Sequence, residues 1–398
     1  TEPWLTDNQK RECMSKPYAR SLRFIRTSTA FIHNAVQRRI NKVNYLQLDK
    51  TPNEVILRDG LMCVRHYKPL PASQVVIDGE PFQVRKRRFA IPLVLVPPLG
   101  VFAWIFDLMV DRSMVKYFLA HGFDVYLIDW GAPRAEDRDL SLENYVIDWF
   151  PKAMQANREH SGSEEQSILG YCMGGLLALL YLAASRDDKV VNLVTIASPV
   201  DMHKMGFVGT ATRLLSKPVW AIGRVTGLRI DKMQRGMFHV PGKRLSLMFK
   251  MTNPMGAVSS YVELVRNMAD DEYVSRYMTM NEWFTNMPDY PGATIQELIR
   301  KLGLYNRMAK GRIRIGGREA SFRDIRSNLL VFAGDNDKIV PIASAEAILK
   351  VVSSTDKQFH VVPGGHAGVF TGGKAAHTTW AISKDWLSLR SKALPEKP

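Results

Sequence analysis

The spacing of apolar residues changes several times along the chain, and each change marks an element. Residues 54–67 form short β-rich pieces, Val55-Ile56-Leu57 and then Leu61 to Tyr67, separated by Asp59-Gly60. An Asp-Gly pair between two such runs predicts a hairpin, because both turn positions need positive φ. Residues 92–96 and 124–129 are continuous apolar runs bounded by Pro, Gly and Asp, as strands buried on both faces are. Helical spacing covers residues 113–121 and 142–160. A strand at 167–170 then leads into an apolar helix-favouring run to Ala184, and further strands are expected at 190–197, 328–333 and 359–362, with a closing helix that ends near Leu389. This alternation predicts an α/β fold with a mostly parallel central sheet and ligand chemistry at the carboxyl ends of its strands.

Two stretches break the alternation. Residues 201–320 are Met-rich and basic, with helical patterns at 261–268 and 295–302, and read as a largely helical cap inserted into a core formed by 51–200 and 321–398. Met205, Met233, Met237, Met248, Met251 and Met255 in this cap are expected mostly to pack as core, although methionines can also line an adaptable apolar pocket. Residues 1–50 form a basic arm in which Leu22, Ile25, Thr29, Ile32 and Val36 fall at helical spacing among Arg20, Arg23, Arg26, Arg38 and Arg39. Such a helix can pack on its own domain or a partner subunit, or lie on an anionic membrane or lipid-inclusion surface.

Composition narrows the class. With 398 residues, 46% of them hydrophobic, the chain can bury a substantial core. The excess of 54 basic over 39 acidic residues favours anionic ligands, acyl-CoA among them, and also serves solubility. The basic run at 83–89 reads as a solvated loop or edge strand, and without aromatic interleaving or a binding module no nucleic-acid partner is expected. The uncharged runs at 89–106 and 168–184 are not read as membrane spans, the first being broken by Pro92, Pro97, Pro98 and Gly100 and the second being a strand, turn and helix. No charged segment followed by an apolar one opens the sequence, so a secretory signal is not expected. Cys13, Cys63 and Cys172 are scattered, which argues for a reducing compartment and a cytoplasmic protein. The nine histidines show no metal-ligand spacing, and neither metal nor other cofactor is expected.

The candidate chemistry centres on Gly170-Tyr171-Cys172-Met173-Gly174-Gly175. A strand, a sharp turn with a reactive residue at its apex, and a helix form a nucleophile elbow. Glycines around the apex let strand and helix backbones pass closely. Serine usually occupies this apex; cysteine offers a thiol, which ionises far more readily than a hydroxyl. The motif alone also fits a small buried Cys at a tight crossing. Two later loops complete a set: Gly334-Asp335-Asn336-Asp337-Lys338 and Pro363-Gly364-Gly365-His366-Ala367-Gly368. Cys172 is the expected nucleophile, His366 the base and Asp337 the acid, with Asp335 as a turn or solvated residue because Asp337 leads directly into Ile339-Val340-Pro341. The backbone N–H of Met173 and that of Leu99 or Gly100 are the candidate oxyanion donors.

The order nucleophile, acid, histidine is that of α/β hydrolases. Together with G-Y-C-M-G-G, V-Y-L-I-D-W-G at residues 125–131, Asn281-Glu282-Trp283, I-R-I-G-G-R-E at 313–319 and V-P-G-G-H-A-G, it makes the chain resemble polyhydroxyalkanoate synthases over roughly residues 53–389. It looks most like the catalytic subunit of the short, two-subunit class. The resemblance implies an α/β-hydrolase core with a mobile cap and a Cys172, Asp337, His366 triad. It also implies (R)-3-hydroxyacyl-CoA as substrate, free CoA as by-product and a growing polyester as acceptor. A homodimer or a second subunit, and association with polyester granules or a membrane surface, follow as further expectations. The chain departs from the family at Lys338, where histidine usually follows the acid. A Cys-dependent esterase or lipase, another acyltransferase of the same branch, and a non-catalytic inclusion-binding protein on a degenerate hydrolase fold are the alternatives.

Overall fold

In the computed structural model, residue 34 and residues 42–85, 89–226, 230–251, 254–392 and 394 are described. The amphipathic stretch expected at residues 20–39 lies outside them except for Asn34, as do Cys13 and most of the basic run at 86–88.

Eight strands form the central sheet: β1 (Asn53–Asp59), β2 (Met62–Tyr67), β3 (Leu93–Val96), β4 (Val125–Asp129), β5 (Gln166–Tyr171), β6 (Val190–Ile196), β7 (Asn328–Gly334) and β8 (Lys357–Val362). Their spatial order is β1-β2-β4-β3-β5-β6-β7-β8, and β2 alone runs antiparallel to its neighbours. β3 and β5 lie at the middle and every residue of both is buried, which accounts for the apolar run of β3; in β5 the buried Ser167 accepts from Asn192 Nδ2 at 3.0 Å. The order places the loops after β3, β5, β7 and β8 at one end of the sheet.

Helices α1 (Met114–Ala120), α2 (Phe150–Ser161) and α3 (Met173–Ser185) cover this sheet. α3 is buried on all sides from Gly174 to Ala183, as its lack of any polar face requires. α2 is preceded by a π-helical turn at Asn144–Trp149, where the expectation from sequence is one regular helix. Pro151, at the start of α2, has no N–H to give an i→i−4 bond, and the Phe150 N–H reaches Tyr145 instead. α2 ends at Gly162, whose N–H caps the Arg158 carbonyl at 2.9 Å.

The chain divides into two compact units, one of residues 48–252 and 285–398 and the other of 1–47 and 253–284. The larger holds the sheet and the segments at 235–251 and 287–292 described below. In the smaller, Leu264, Met268, Val274 and Met278 form a core against which Tyr45, Leu46 and Tyr277 pack. Asn34 donates to the Met268 carbonyl at 2.9 Å and to Asp271 at 2.7 Å, and accepts from the Tyr45 hydroxyl at 2.9 Å.

Met237, Met248 and Met251 depart from expectation: they are 67%, 62% and 70% exposed and pack in no core. Met248 and Met251, three residues apart on the helix Gly242–Met251, share its outward face, while Gly242 and Ser246 are buried. Among the described residues no helix is long and apolar enough to cross a membrane.

Candidate active site

Cys172 stands between the last residue of β5 and the first of α3, with φ 51° and ψ −118°. For a residue with a Cβ this is a strained conformation, held here because the Cys172 N–H is tied to the Ile196 carbonyl at the end of β6, 2.8 Å away. The flanking glycines make the turn possible. A Cβ on Gly174 would sit 1.9 Å from the Val96 carbonyl oxygen, and one on Gly170 would sit 2.5 Å from the Gly175 Cα. Any side chain at either position would push α3 away from β3 or β5, so the glycines place the first turn of α3 against the loop that follows β3.

That contact sets the first turn of α3, which begins at Met173, against the start of the loop that carries Leu99 and Gly100. Among the described residues, no backbone carbonyl takes the N–H of Met173, Leu99 or Gly100. Trp130 braces the loop from below, its indole Nε1–H donating to the Pro97 carbonyl at 3.0 Å. The D-W-G sequence thus supports the candidate oxyanion loop, a role its motif does not reveal. Asp129 in turn holds Arg65 at 2.6 Å and accepts the Gly131 N–H at 2.9 Å.

The candidate acid and base, Asp337 and His366, follow the ends of β7 and β8. His366 Nδ1–H donates to Asp337 Oδ2 at 2.8 Å, and Asp337 Oδ1 accepts the N–H groups of Ile339 and Val340, each at 2.8 Å. The Asp337 side chain is fully buried and that of His366 is 6% exposed. With Nδ1 committed to Asp337, Nε2 is the ring nitrogen left for Cys172. Burial works against a charge on His366, but the Cys172 sulfur, the hydrogen bonds from both partners and the Asp337 carboxylate outweigh it, and its pKa is pushed up to about 10.

Asp335 does something else. Its Oδ1 accepts the Gly364 N–H at 2.8 Å, bracing the loop that carries His366. Lys338, beside Asp337, is exposed. Tyr171, adjacent to the nucleophile, donates from its hydroxyl to the His366 carbonyl at 3.0 Å and stacks on Phe370 with ring centroids 4.2 Å apart. It ties down the backbone of the histidine loop; only its place in the motif could have drawn attention to it.

Above Cys172 the segment between β6 and β7 supplies a roof. Val240 and Tyr290 exchange backbone hydrogen bonds of 3.1 and 2.8 Å, and Asp289 holds His239 at 2.9 Å and the Gly242 N–H at 2.8 Å. The pairing brings Leu245 and Tyr290 over the oxyanion loop: a Cβ on Gly100 would lie 3.0 Å from Leu245 Cδ2 and 3.1 Å from Tyr290 Cε2. The Tyr290 phenol is pushed well above its ordinary range by burial, then by Cys172 and Tyr145. Leu99, Met173, Val240, Leu245 and Tyr290 all belong to the main hydrophobic cluster or pack against it. The surroundings of the Leu99-Gly100 loop are thus apolar.

The α/β hydrolase fold family matches residues 107–373, more than half the chain. The poly(3-hydroxyalkanoate) polymerase subunit PhaC of Allochromatium vinosum is 34% identical over 302 residues, covering 75% of this chain and 81% of that one. The chain belongs to the poly(3-hydroxyalkanoate) polymerase family. Two further polymerase subunits of the family span still more of it. That of Synechocystis sp. is 28% identical over 347 residues, 87% of this chain and 86% of its own, and that of Haloferax mediterranei is 27% identical over 360 residues, 90% and 68% respectively. This polymerase-family chain sets its Cys172 elbow, Asp337 loop and His366 loop at the ends of β5, β7 and beyond β8 of an α/β-hydrolase sheet.

Proposed function

We propose that the chain is an acyltransferase that polymerises (R)-3-hydroxyacyl-CoA into polyester through an acyl group held on Cys172, releasing CoA. The observation that carries this reading is Cys172 on a strained elbow, its sulfur raising the pKa of a His366 that is itself bonded to a buried Asp337. Membership of the polymerase family supplies the substrate class.

The steps follow from the geometry. His366 Nε2 takes the proton of Cys172 Sγ, and the sulfur attacks the thioester carbonyl carbon. The oxyanion is received by the Met173 N–H and by that of Leu99 or Gly100. Its collapse breaks the carbon–sulfur bond to CoA, which leaves with the proton from His366. One thioester replaces another, so little driving force is lost. A 3-hydroxyl group of a second acyl unit then gives its proton to His366 and attacks the Cys172-bound carbonyl. The new ester forms as the carbon–Sγ bond breaks, and the proton returns to Cys172. Asp337 holds the imidazole tautomer throughout. Leu245 and Tyr290 close the site from water, which would otherwise take the place of the hydroxyl.

Attachment to a polyester or anionic lipid surface through the basic arm of residues 1–50, and pairing with a second subunit or copy, belong to the same proposal. The test is incubation with 3-hydroxybutyryl-CoA, following CoA release and insoluble polyester together. Both should rise in step. CoA release with an equal yield of free 3-hydroxybutyrate would identify a hydrolase instead, and neither product would mark a non-catalytic protein.

A further inference from the structure

The register of β1, β2 and β4 lines up three side chains that are far apart in sequence. Glu54 pairs with His66 across β1 and β2, and His66 with Tyr126 across β2 and β4, so all three stand in one row. His160, in the last turn of α2, closes over the row, its ring centroid 4.5 Å from that of His66. This cluster lies near the start of β4, at the opposite end of that strand from Asp129 and Trp130.

Its hydrogen bonds dictate which nitrogens are left over. Asp124 accepts His66 Nε2–H on Oδ1 at 2.9 Å and the Tyr126 hydroxyl on Oδ2 at 3.3 Å. With its own proton given to Asp124, the Tyr126 oxygen accepts from His160 Nδ1, 2.9 Å away. One carboxylate thereby sets both imidazole tautomers. The two remaining nitrogens, His66 Nδ1 and His160 Nε2, face the same oxygen, Glu54 Oε1, at 3.4 and 4.0 Å. One ligand atom from each of Glu54, His66 and His160 lies within 4.8 Å of the others.

We infer that Glu54, His66 and His160 form a binding site for a divalent transition metal of the zinc type. Zinc lies about 2.0–2.1 Å from nitrogen and oxygen donors, which in a tetrahedron stand about 3.3 Å apart. The His66 to Glu54 separation meets that distance, and His160 and Glu54, at 35% and 49% side-chain exposure, can close the remainder by rotation. Two imidazoles and one carboxylate suit a borderline metal, with water in the fourth position. Asp124 plays the part of the outer carboxylate that orients a ligating imidazole. The bound metal would clamp the end of α2 to the sheet edge; the donors come from positions 54, 66 and 160, which is why no ligand spacing marks the sequence.

The test uses untagged, chelator-treated full-length chain carrying Cys172→Ser, so that the active-site thiol captures no metal. Cobalt(II) is titrated while its visible ligand-field absorption is followed, and zinc affinity is measured against a chromophoric chelator. One equivalent should bind with tetrahedral absorption. His160→Ala and Glu54→Gln, both surface changes, should each weaken zinc binding at least about tenfold, and Asp124→Asn, which gives no donor atom, about 10–100-fold. Zinc should raise the melting temperature of the parent and leave that of His160→Ala unchanged. Absence of saturable binding at micromolar zinc, or affinity within twofold of the parent after His160→Ala and Glu54→Gln are combined, would overturn the inference and leave a hydrogen-bonded network alone.

Discussion

Asp337→Asn should remove most of the activity while leaving the fold standing, and the hydrogen bonds around the carboxylate say how much. Asp337 takes three N–H donors, from His366, Ile339 and Val340, each at 2.8 Å. The amide has one acceptor oxygen and one NH2. If the oxygen keeps the two loop donors, the NH2 faces His366 Nδ1, which must give up its proton and become the acceptor. The ring then carries its proton on Nε2, toward Cys172, and cannot take the thiol proton. If the amide turns over, its NH2 opposes two buried N–H groups, and each unsatisfied group costs about 1–3 kcal/mol. The first arrangement is cheaper, so the folded variant holds the wrong tautomer. Changing a triad acid to its amide in this way costs about 10⁴ in kcat, or about 5.4 kcal/mol at 1.36 kcal/mol per decade. CoA release from 3-hydroxybutyryl-CoA should therefore fall about 10³–10⁴-fold, with the melting temperature down by less than about 4 °C for a loss near 1 kcal/mol. Asp335→Asn retains an oxygen for the Gly364 N–H and should stay within about threefold of the parent by the near-neutral effect of exposed substitutions. A healthy Asp337→Asn enzyme, or an Asp335→Asn enzyme that loses more, would refute the reasoning.

Cys172→Ala should abolish turnover in a folded protein, checked by CoA release beside circular dichroism, and should lower the His366 pKa from about 10, read by NMR of the imidazole, because the neighbouring sulfur that raises it is gone. Since the folded value lies above the unfolded one of about 6.5, His366 contributes stability that is complete below about pH 6.5 and is lost as pH rises through about 10; melting curves across that window should fall more for the parent than for Cys172→Ala. Gly174→Ala should cost at least about 1–3 kcal/mol as overpacking and, by shifting α3 relative to Leu99, about 10²-fold in kcat/KM; a variant as stable and active as the parent would contradict the 1.9 Å approach to Val96. Removing residues 1–33 should leave Cys172 labelling by a thiol-reactive acyl analogue intact and weaken salt-sensitive binding to anionic or polyester particles, exposed charges acting over about 10 Å at moderate ionic strength; unchanged particle binding in a sedimentation assay would argue against attachment by the arm.

What could be read from sequence was local or fixed by spacing. The elbow is legible because Gly170, Gly174 and Gly175 meet constraints set by neighbouring backbone, and Asp337 is distinguishable from Asp335 because its side chain reaches the N–H groups two and three residues ahead. The hairpin expected at Asp59-Gly60 forms with its turn one residue later: Asp59 ends β1 paired with Met62, and Gly60 and Leu61 make the turn, with Gly60 at positive φ. Asp78-Gly79 carries the same dipeptide and joins the strands Gln74–Ile77 and Glu80–Gln83, for which the sequence reading names no strand: four-residue strands offer too little alternation to stand out. Long-range contacts leave no local trace. Nothing near Trp130 points to Pro97, nothing near Tyr290 points to Gly100, and Glu54, His66 and His160 meet only through strand register and the packing of α2. The exposed Met237, Met248 and Met251 also escape a reading that equates apolar with buried.

The roof over Cys172 separates two kinds of change. Cys172, Asp337 and His366 are fixed by strand ends and by contacts that admit almost no alternative side chain, whereas Leu245 and Tyr290 hang from a two-bond backbone bridge in the insertion between β6 and β7. The bridge needs only the main chain of Val240 and Tyr290. Apart from Asp289 and the tightly packed Gly242 and Gly292, side chains on the insertion can therefore be exchanged for larger or smaller ones without disturbing the frame that carries Cys172, Asp337 and His366. Selection, natural or in the laboratory, can retune the width of the acyl site there while the bond-making apparatus is inherited unchanged.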